Sequence, residues 1–388
     1  MTHIDSPINS QKLFVSFAGA LALALSAYLF TQNPQNSFLF IIGCGLGITL
    51  YHATFGFTGA YRRAIRQKDI SGISAQLLMI GIAVLLFAPV LSMGNIFDHR
   101  VGGALAPVSV SMALGALIFG VGMQLGGGCA SGTLFTAGGG SVRMWVVLVF
   151  FCFGTFIASL HLSWWRTLPS AGTVSLGKEL GWGVAVPLQL TALILIYALL
   201  RWLGGENKQP LWWRSSLSWH HLLYGPWPLL QASIVLALLN WLTLLVAGHP
   251  WSVTWGFTLW AAKAAVLLGW DPSTNAFWSS AFASRALSQS ILQDTTSVMN
   301  IGILIGAFLA ASLAGYIRFE RRIPLLSFVA AIGGGLLLGY GARLAYGCNI
   351  GAFFSGIASS SLHGWVWIAA AMFGNIIGVR LRPMFGLD

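Results

Sequence analysis

Cys129 and Cys348 are the residues whose type and surroundings point most directly to chemistry. Each lies in a glycine-broken run at the end of a long apolar segment, GVGMQLGGGCASGTLF over Gly120–Phe135 and GYGARLAYGCNIGAFF from Gly339 onward. A shift of 219 residues pairs Gly120 with Gly339, Gly122 with Gly341, Gly128 with Gly347, Cys129 with Cys348, Gly132 with Gly351 and Phe135 with Phe354. Such self-similarity is the mark of a duplicated structural unit. A thiol is small, polarisable and a weak hydrogen-bond donor, so it suits a soft sulfur-bearing ligand better than a hydroxyl does.

The neighbours of the two cysteines fit an anion. Gly128, Gly132, Gly347 and Gly351 let backbone approach a ligand closely and let a helix restart just past each cysteine. A helix start offers free N–H groups and partial positive charge, so two of them aimed at one place make an anion site without lysine. Close helix crossing is the competing use of the same glycines. Ser131 and Asn349, with Ser355, Ser359, Ser360, Ser361 and His363, could hydrogen-bond an oxyanion, although such groups also satisfy backbone in broken helices. Arg343 lies five residues before Cys348 where the repeat has Gln124. An arginine inside an apolar run can draw in an anion, or can snorkel to an interface from the end of its span.

Composition fixes the setting in which these residues work. The chain has 388 residues, 56% of them hydrophobic and 7% charged, with a mean hydropathy of +0.78. Soluble chains carry about 25% charged residues, so this is expected to be an all-α integral membrane protein. The net charge of +11 sits in short links between apolar runs. That is the pattern of positively charged cytoplasmic loops and gives no reason to invoke nucleic acid. Four cysteines without a C-x-x-C or a His-Cys cluster give no metal site, and Cys44 and Cys152 lie inside apolar runs as packing residues. No G-x-x-x-x-G-K-[ST] stretch marks an in-chain ATP motor, all nine carboxylates fall at ends or links, and no cofactor is implied. The polar, acid-containing start MTHIDSPINSQK is not expected to be a cleaved signal.

Runs of the length that crosses a bilayer are expected at 13–31, 37–55, 73–93, 108–125, 145–160, 187–203, 229–247, 253–270, 298–316, 325–344 and 365–379. Between Leu125 and Trp145, and between Leu344 and Trp365, the chain is too rich in Gly, Ser and Ala for a spanning helix. Open backbone at membrane depth must be buried in protein or line a cavity, so each stretch is expected to be a short re-entrant helix pair. The basic links YRRAIRQK (Tyr61–Lys68) and RFERR (Arg318–Arg322) fall at opposite ends of equivalent helices, which favours two inverted repeats. The amphipathic segment Ser273–Ser290 is a further re-entrant candidate. The expected layout is a first membrane repeat over 1–203, a polar linker over 204–224 and a second repeat over 225–388 within one bundle.

At LGGGCASGTLF and GARLAYGCNIGAFFSGIASSSLHGW the sequence resembles the YeeE/YedE family of bacterial sulfur-transport membrane proteins, whose characterised members take up thiosulfate. The resemblance covers essentially the whole duplicated chain. It implies a multi-pass protein of the inner membrane, short in-membrane helices around a central constriction, and Cys129 and Cys348 passing thiosulfate along by S–H···S contacts. It also implies a cytosolic sulfur-carrier partner of the TusA type beside the membrane lipid. The family's C-F-T-x-A-F-R segment reads GFTGAYR here, with Gly56 at the cysteine position, so the relay has one station fewer or the anion differs. The function expected is a permease for thiosulfate or a similar sulfur anion, and not an enzyme. The alternative is a membrane thiol oxidoreductase cycling the same two cysteines through a disulfide, which needs a redox partner and usually a second cysteine pair.

Overall fold

The computed structural model describes residues 11–96, 99–213, 219–317 and 322–387, and almost all of its regular structure is helical. The first half carries α1 (Lys12–Gln32), α2 (Pro34–His52), α3 (Phe57–Gln67), α4 (Ser71–Met93), α5 (Val110–Gly126), α6 (Ala130–Gly138), α7 (Val142–Leu160) and α8 (Trp182–Trp202). The second half carries α9 (Leu229–Ala247), α10 (Thr254–Leu267), α11 (Ala281–Ser288), α12 (Thr295–Leu313), α13 (Leu325–Leu344), α14 (Ser355–Ala358) and α15 (Leu362–Leu381). The strands are two short antiparallel pairs, Asn95–Ile96 with His99–Arg100 and Pro107–Ser109 with Ser170–Thr173.

Among the described residues ten helices are long and apolar enough to cross a membrane. The eighth of the eleven expected spans, 253–270, is instead the 14-residue α10. A helix rises about 1.5 Å per residue, so α10 falls short of a bilayer's hydrocarbon core. The sequence explains why: Trp255-Gly256-Phe257-Thr258 repeats Phe55-Gly56-Phe57-Thr58 at a shift of 200, which makes α10 the counterpart of the 11-residue α3. The two glycine-rich stretches also differ from expectation. Each holds one short helix rather than a pair, α6 in the first half and a π-helical turn, Asn349–Phe354, running into α14 in the second.

Local chemistry sets the breaks. Asn33 accepts a hydrogen bond from the Gln35 N–H at 3.0 Å and Pro34 starts α2, an N-cap arrangement that suits proline at the first position. Gly94, Gly127 and Gly248 end α4, α5 and α9 at φ values of 72°, 86° and 74°, where a Cβ would be strained.

Helix pairing follows the duplication. α2 packs on α12 and α4 on α9; α5 packs on α15 and α7 on α13. Exchanging each helix for its repeat counterpart turns the first contact of each pair into the second. The α5–α13 pair maps onto itself, and its glycine contacts show these two counterparts running antiparallel: Gly115 lies against Leu344 and Gly341, Gly126 against Gly334. α2 and α9 also run antiparallel, since Gln35 reaches the Val246 carbonyl at 2.5 Å while Gly45 faces Leu239. By contrast α5 and α15 run parallel, with Gly120 against Ala371 and Gly378 against Gln124. One large buried cluster joins both halves and includes both cysteines. α1 and α8 bury least and stand at the flanks.

The linker residues 206–209 are strapped across the α3–α4 turn. Asp69 accepts hydrogen bonds from the Ser71 N–H, the Ser71 hydroxyl, the Lys208 N–H and the Gln209 side chain, and pairs with Arg63 at 3.4 Å.

Candidate functional site

Cys129 and Cys348 occupy the same structural position twice. Each is the N-cap of the short helix that follows it: the Gly132 N–H donates to Cys129 Sγ at 3.4 Å, and the Ile350 N–H donates to Cys348 Sγ at 3.4 Å. The expected restart of a helix just past each thiol is therefore present, with glycine beside it. Gly347 stands at φ 150°, and a Cβ there would meet the Ala352 nitrogen at 2.9 Å. A Cβ on Gly128 would press on Thr133 at 3.1 Å, whereas one on Gly132 would touch Cys129 Sγ at an ordinary 3.5 Å.

Both thiols are free and sealed, with Cys129 1% and Cys348 0% exposed. The two short helices that follow the cysteines lie against each other. Ser131 Oγ lies 3.4 Å from Cys129 Sγ. Asn349, beside Cys348, donates its side-chain N–H to the Tyr61 hydroxyl at 3.2 Å. Phe57 meets Phe353 edge-on at 6.5 Å, so α3 lies against the second-half cysteine turn.

Gly56 caps α3, and a Cβ on it would find only the Thr54 carbonyl, at 3.9 Å. There is room for a side chain where this chain has none. Arg343 stacks on Phe277 at 4.3 Å and on Trp255 at 5.7 Å, a cation–π arrangement. Its repeat partner Gln124 donates to the Thr58 carbonyl at 3.2 Å and to Asn375 Oδ1 at 2.7 Å. Each of the two thus ties its own short helix, α10 or α3, to the bundle.

Two cavities open at opposite ends of α12. One, of about 740 Å³, is lined by His249, Ser252, Trp255, Arg285 and the first residues of α12; Ser252 Oγ sits 3.7 Å from where a Gly351 Cβ would stand. The other, of about 310 Å³, is lined by His52, Thr54, Phe135, Thr136 and Pro226 with Ala314 just past α12. The amphipathic segment 273–290 supplies α11, which walls the larger cavity. Lys263 holds the end of α11 by donating to the Leu287 and Gln289 carbonyls, each at 2.6 Å.

Tyr61, Thr58, Ser252 and His52 were not legible as site residues from the cysteine runs. The FGFT/WGFT repeat was the available signal, because it marks α3 and α10 as duplicated units of the same kind as the cysteine turns.

The profile of the sulphur transport family matches residues 52–377. The probable transporter YedE of Escherichia coli (strain K12) is 33% identical over 175 residues, which is 44% of this chain and 43% of that protein, so the match spans less than half of its length. The thiosulfate transporter TsuA of Spirochaeta thermophila is 25% identical over 362 residues, covering 86% of this chain and 95% of its own. TsuA of Escherichia coli (strain K12) is 24% identical over 354 residues, covering 86% and 91%.

Proposed function

Since the chain belongs to the sulphur transport family, a family of multi-pass membrane transporters, we propose that it conducts thiosulfate or a similar sulfur anion into the cell through a pathway on which Cys129 and Cys348 are the two thiol stations. The observation that carries this reading is the meeting of the two repeat-related cysteine turns between cavities that open at opposite ends of α12. The anion enters the cavity at Ser252, passes Gly351 and Cys348, then Cys129, and leaves beside Phe135 and Thr54. The helix starts beside the two cysteines supply partial positive charge along the way, and the thiols contact the soft sulfur end. Gly128, Ser131, Gly347 and Asn349 shape the narrowest part. The thiols are sealed here, so this is a closed state and passage requires the turns to part.

The halves 1–203 and 225–388 act as repeats inserted upside down to each other, joined by the linker 204–224. The antiparallel run of α5 with α13 and of α2 with α9 supports that arrangement. Arg62, Arg63, Arg66, Lys68, Lys208, Arg380 and Arg382 gather at one end, where Lys208 Nζ reaches the Gln67 carbonyl and Arg382 the Gln124 carbonyl. That end faces the cytoplasm by the positive-inside rule, so the smaller cavity opens inward in a bacterial inner membrane and the Arg285 cavity opens outward. A TusA-like sulfur carrier would collect the cargo at the inner cavity, and lipid covers α1 and α8. The oxidoreductase reading finds no second observation, because Cys44 lies on α2 against Gly306 and Cys152 on α7, outside the broken segments.

Uptake of radiolabelled thiosulfate into cells decides the reading. It is expected for the wild type and lost for Cys348→Ser at equal protein level. Equal uptake by the two would overturn the role of the thiol, and absence of uptake in the wild type would exclude thiosulfate.

A further inference from the structure

An anion of the thiosulfate kind has two chemically different ends, and thiols account for only one. The oxygens need hydrogen-bond donors, and α3 presents two of them on one face. Thr58 and Tyr61 are three residues apart on this helix, the spacing that puts side chains side by side. Both are buried, at 3% and 2% exposure. Tyr61 receives the Asn349 N–H at 3.2 Å, so its own hydroxyl hydrogen is not engaged by that bond. Thr58 Oγ1 and Asn349 Oδ1 have no partner among the described residues, although both are buried, and Asn349 is 0% exposed. Buried polar groups are ordinarily hydrogen-bonded, so the Thr58 hydroxyl and the uncommitted Tyr61 hydroxyl hydrogen are two buried donors that an anionic guest at the second cysteine turn would engage.

We propose that Tyr61, Thr58 and Asn349 form an oxygen-binding subsite beside the Cys348 turn for the oxyanion end of the cargo. The Tyr61 and Thr58 hydroxyls donate to the oxygens, and Asn349 holds the phenol in place and rotates its amide N–H toward the anion as it passes. The cysteines meet the sulfur end. The inference rests on the permease reading and adds to it the side chains that separate sulfur oxyanions from sulfur species without oxygen.

Purified protein in liposomes tests the subsite by the kinetics of thiosulfate uptake in the wild type, Tyr61→Phe and Thr58→Val. A hydrogen bond to a charged group contributes about 1.5–3 kcal/mol, so loss of the phenol hydroxyl should raise KM at least about tenfold while the maximal rate holds. Thr58→Val should shift KM in the same direction. An unchanged KM in both variants overturns the subsite and leaves the permease reading intact. A wild type that takes up no thiosulfate excludes thiosulfate as the cargo instead. The subsite is then decided by thiosulfate binding to the purified proteins, read by tryptophan fluorescence: weaker binding by Tyr61→Phe supports it, and equal binding overturns it.

Discussion

Gly120 on α5 meets Gly374 on α15, and Gly339 on α13 meets Gly154 on α7, which is the same contact made twice between the two halves. A Cβ on Gly374 would stand 3.0 Å from the Gly120 Cα, and one on Gly339 would stand 2.7 Å from the Gly154 Cα. These crossings hold the broken cysteine segments in place, because each joins a helix that ends at a cysteine turn to the helix that follows the other one. Overpacking costs about 1–3 kcal/mol. Gly374→Ala and Gly339→Ala should each lower the melting temperature in detergent, by comparable amounts; a large fall for one and none for the other would contradict the equivalence of the halves.

Gly56 has space that its counterpart in the second half lacks. A Cβ on Gly256 would meet the Asn300 side-chain nitrogen at 2.8 Å, whereas Gly56 faces only the Thr54 carbonyl. Gly56→Cys should therefore fold with an unchanged melting temperature and keep or raise thiosulfate uptake, while Gly256→Cys should lose stability. Loss of folding in Gly56→Cys would show that the space is not available.

Arg343 is held by aromatic faces. A partly desolvated cation–π pair contributes about 1–2 kcal/mol, so Phe277→Leu should destabilise by that order. Arg343→Lys should fall between wild type and Phe277→Leu, because ammonium stacks on a ring less well than planar guanidinium. Melting curves of the three proteins check the ranking, and a Phe277→Leu protein as stable as wild type would remove the stacking role.

Asp69 makes the linker strap sensitive to acid. Burial pushes its carboxyl up, yet the Ser71 hydroxyl and N–H, the Lys208 N–H and Arg63 together outweigh this and hold it below the ordinary carboxylate value. A group depressed in the folded state contributes stability above its unfolded pKa, about 3.9 for Asp. That contribution is lost as pH falls through the folded value. Amide exchange at Lys208 and Gln209 should be slow at neutral pH, speed up as pH drops below about 4 relative to intrinsic rates, and be fast at all pH in Asp69→Asn. Protection of both amides in Asp69→Asn would dismiss the strap.

Topology is open to direct labelling. In intact cells a membrane-impermeant maleimide should label Arg285→Cys and should label Lys208→Cys only after lysis. The reverse pattern would invert the proposed orientation and make the Ser252 cavity the exit.

The sequence by itself determined the membrane setting, the duplication and the cysteine pair, because low charge, bilayer-length apolar runs and glycines fixed at one shift are properties of residue order alone. It also carried the family, through the two cysteine runs. It did not separate α10 from a spanning helix, since Val253–Trp270 is a mostly apolar run of spanning length and hydropathy does not reveal where the helix within it ends. Only packing against the bundle decided that. The subsite around Tyr61 was equally hidden: Tyr61 and Asn349 are 288 residues apart and meet because helices of the two halves cross. Which hydroxyls end up buried beside a thiol depends on helix crossings set by glycine contacts hundreds of residues apart, and no local pattern encodes it.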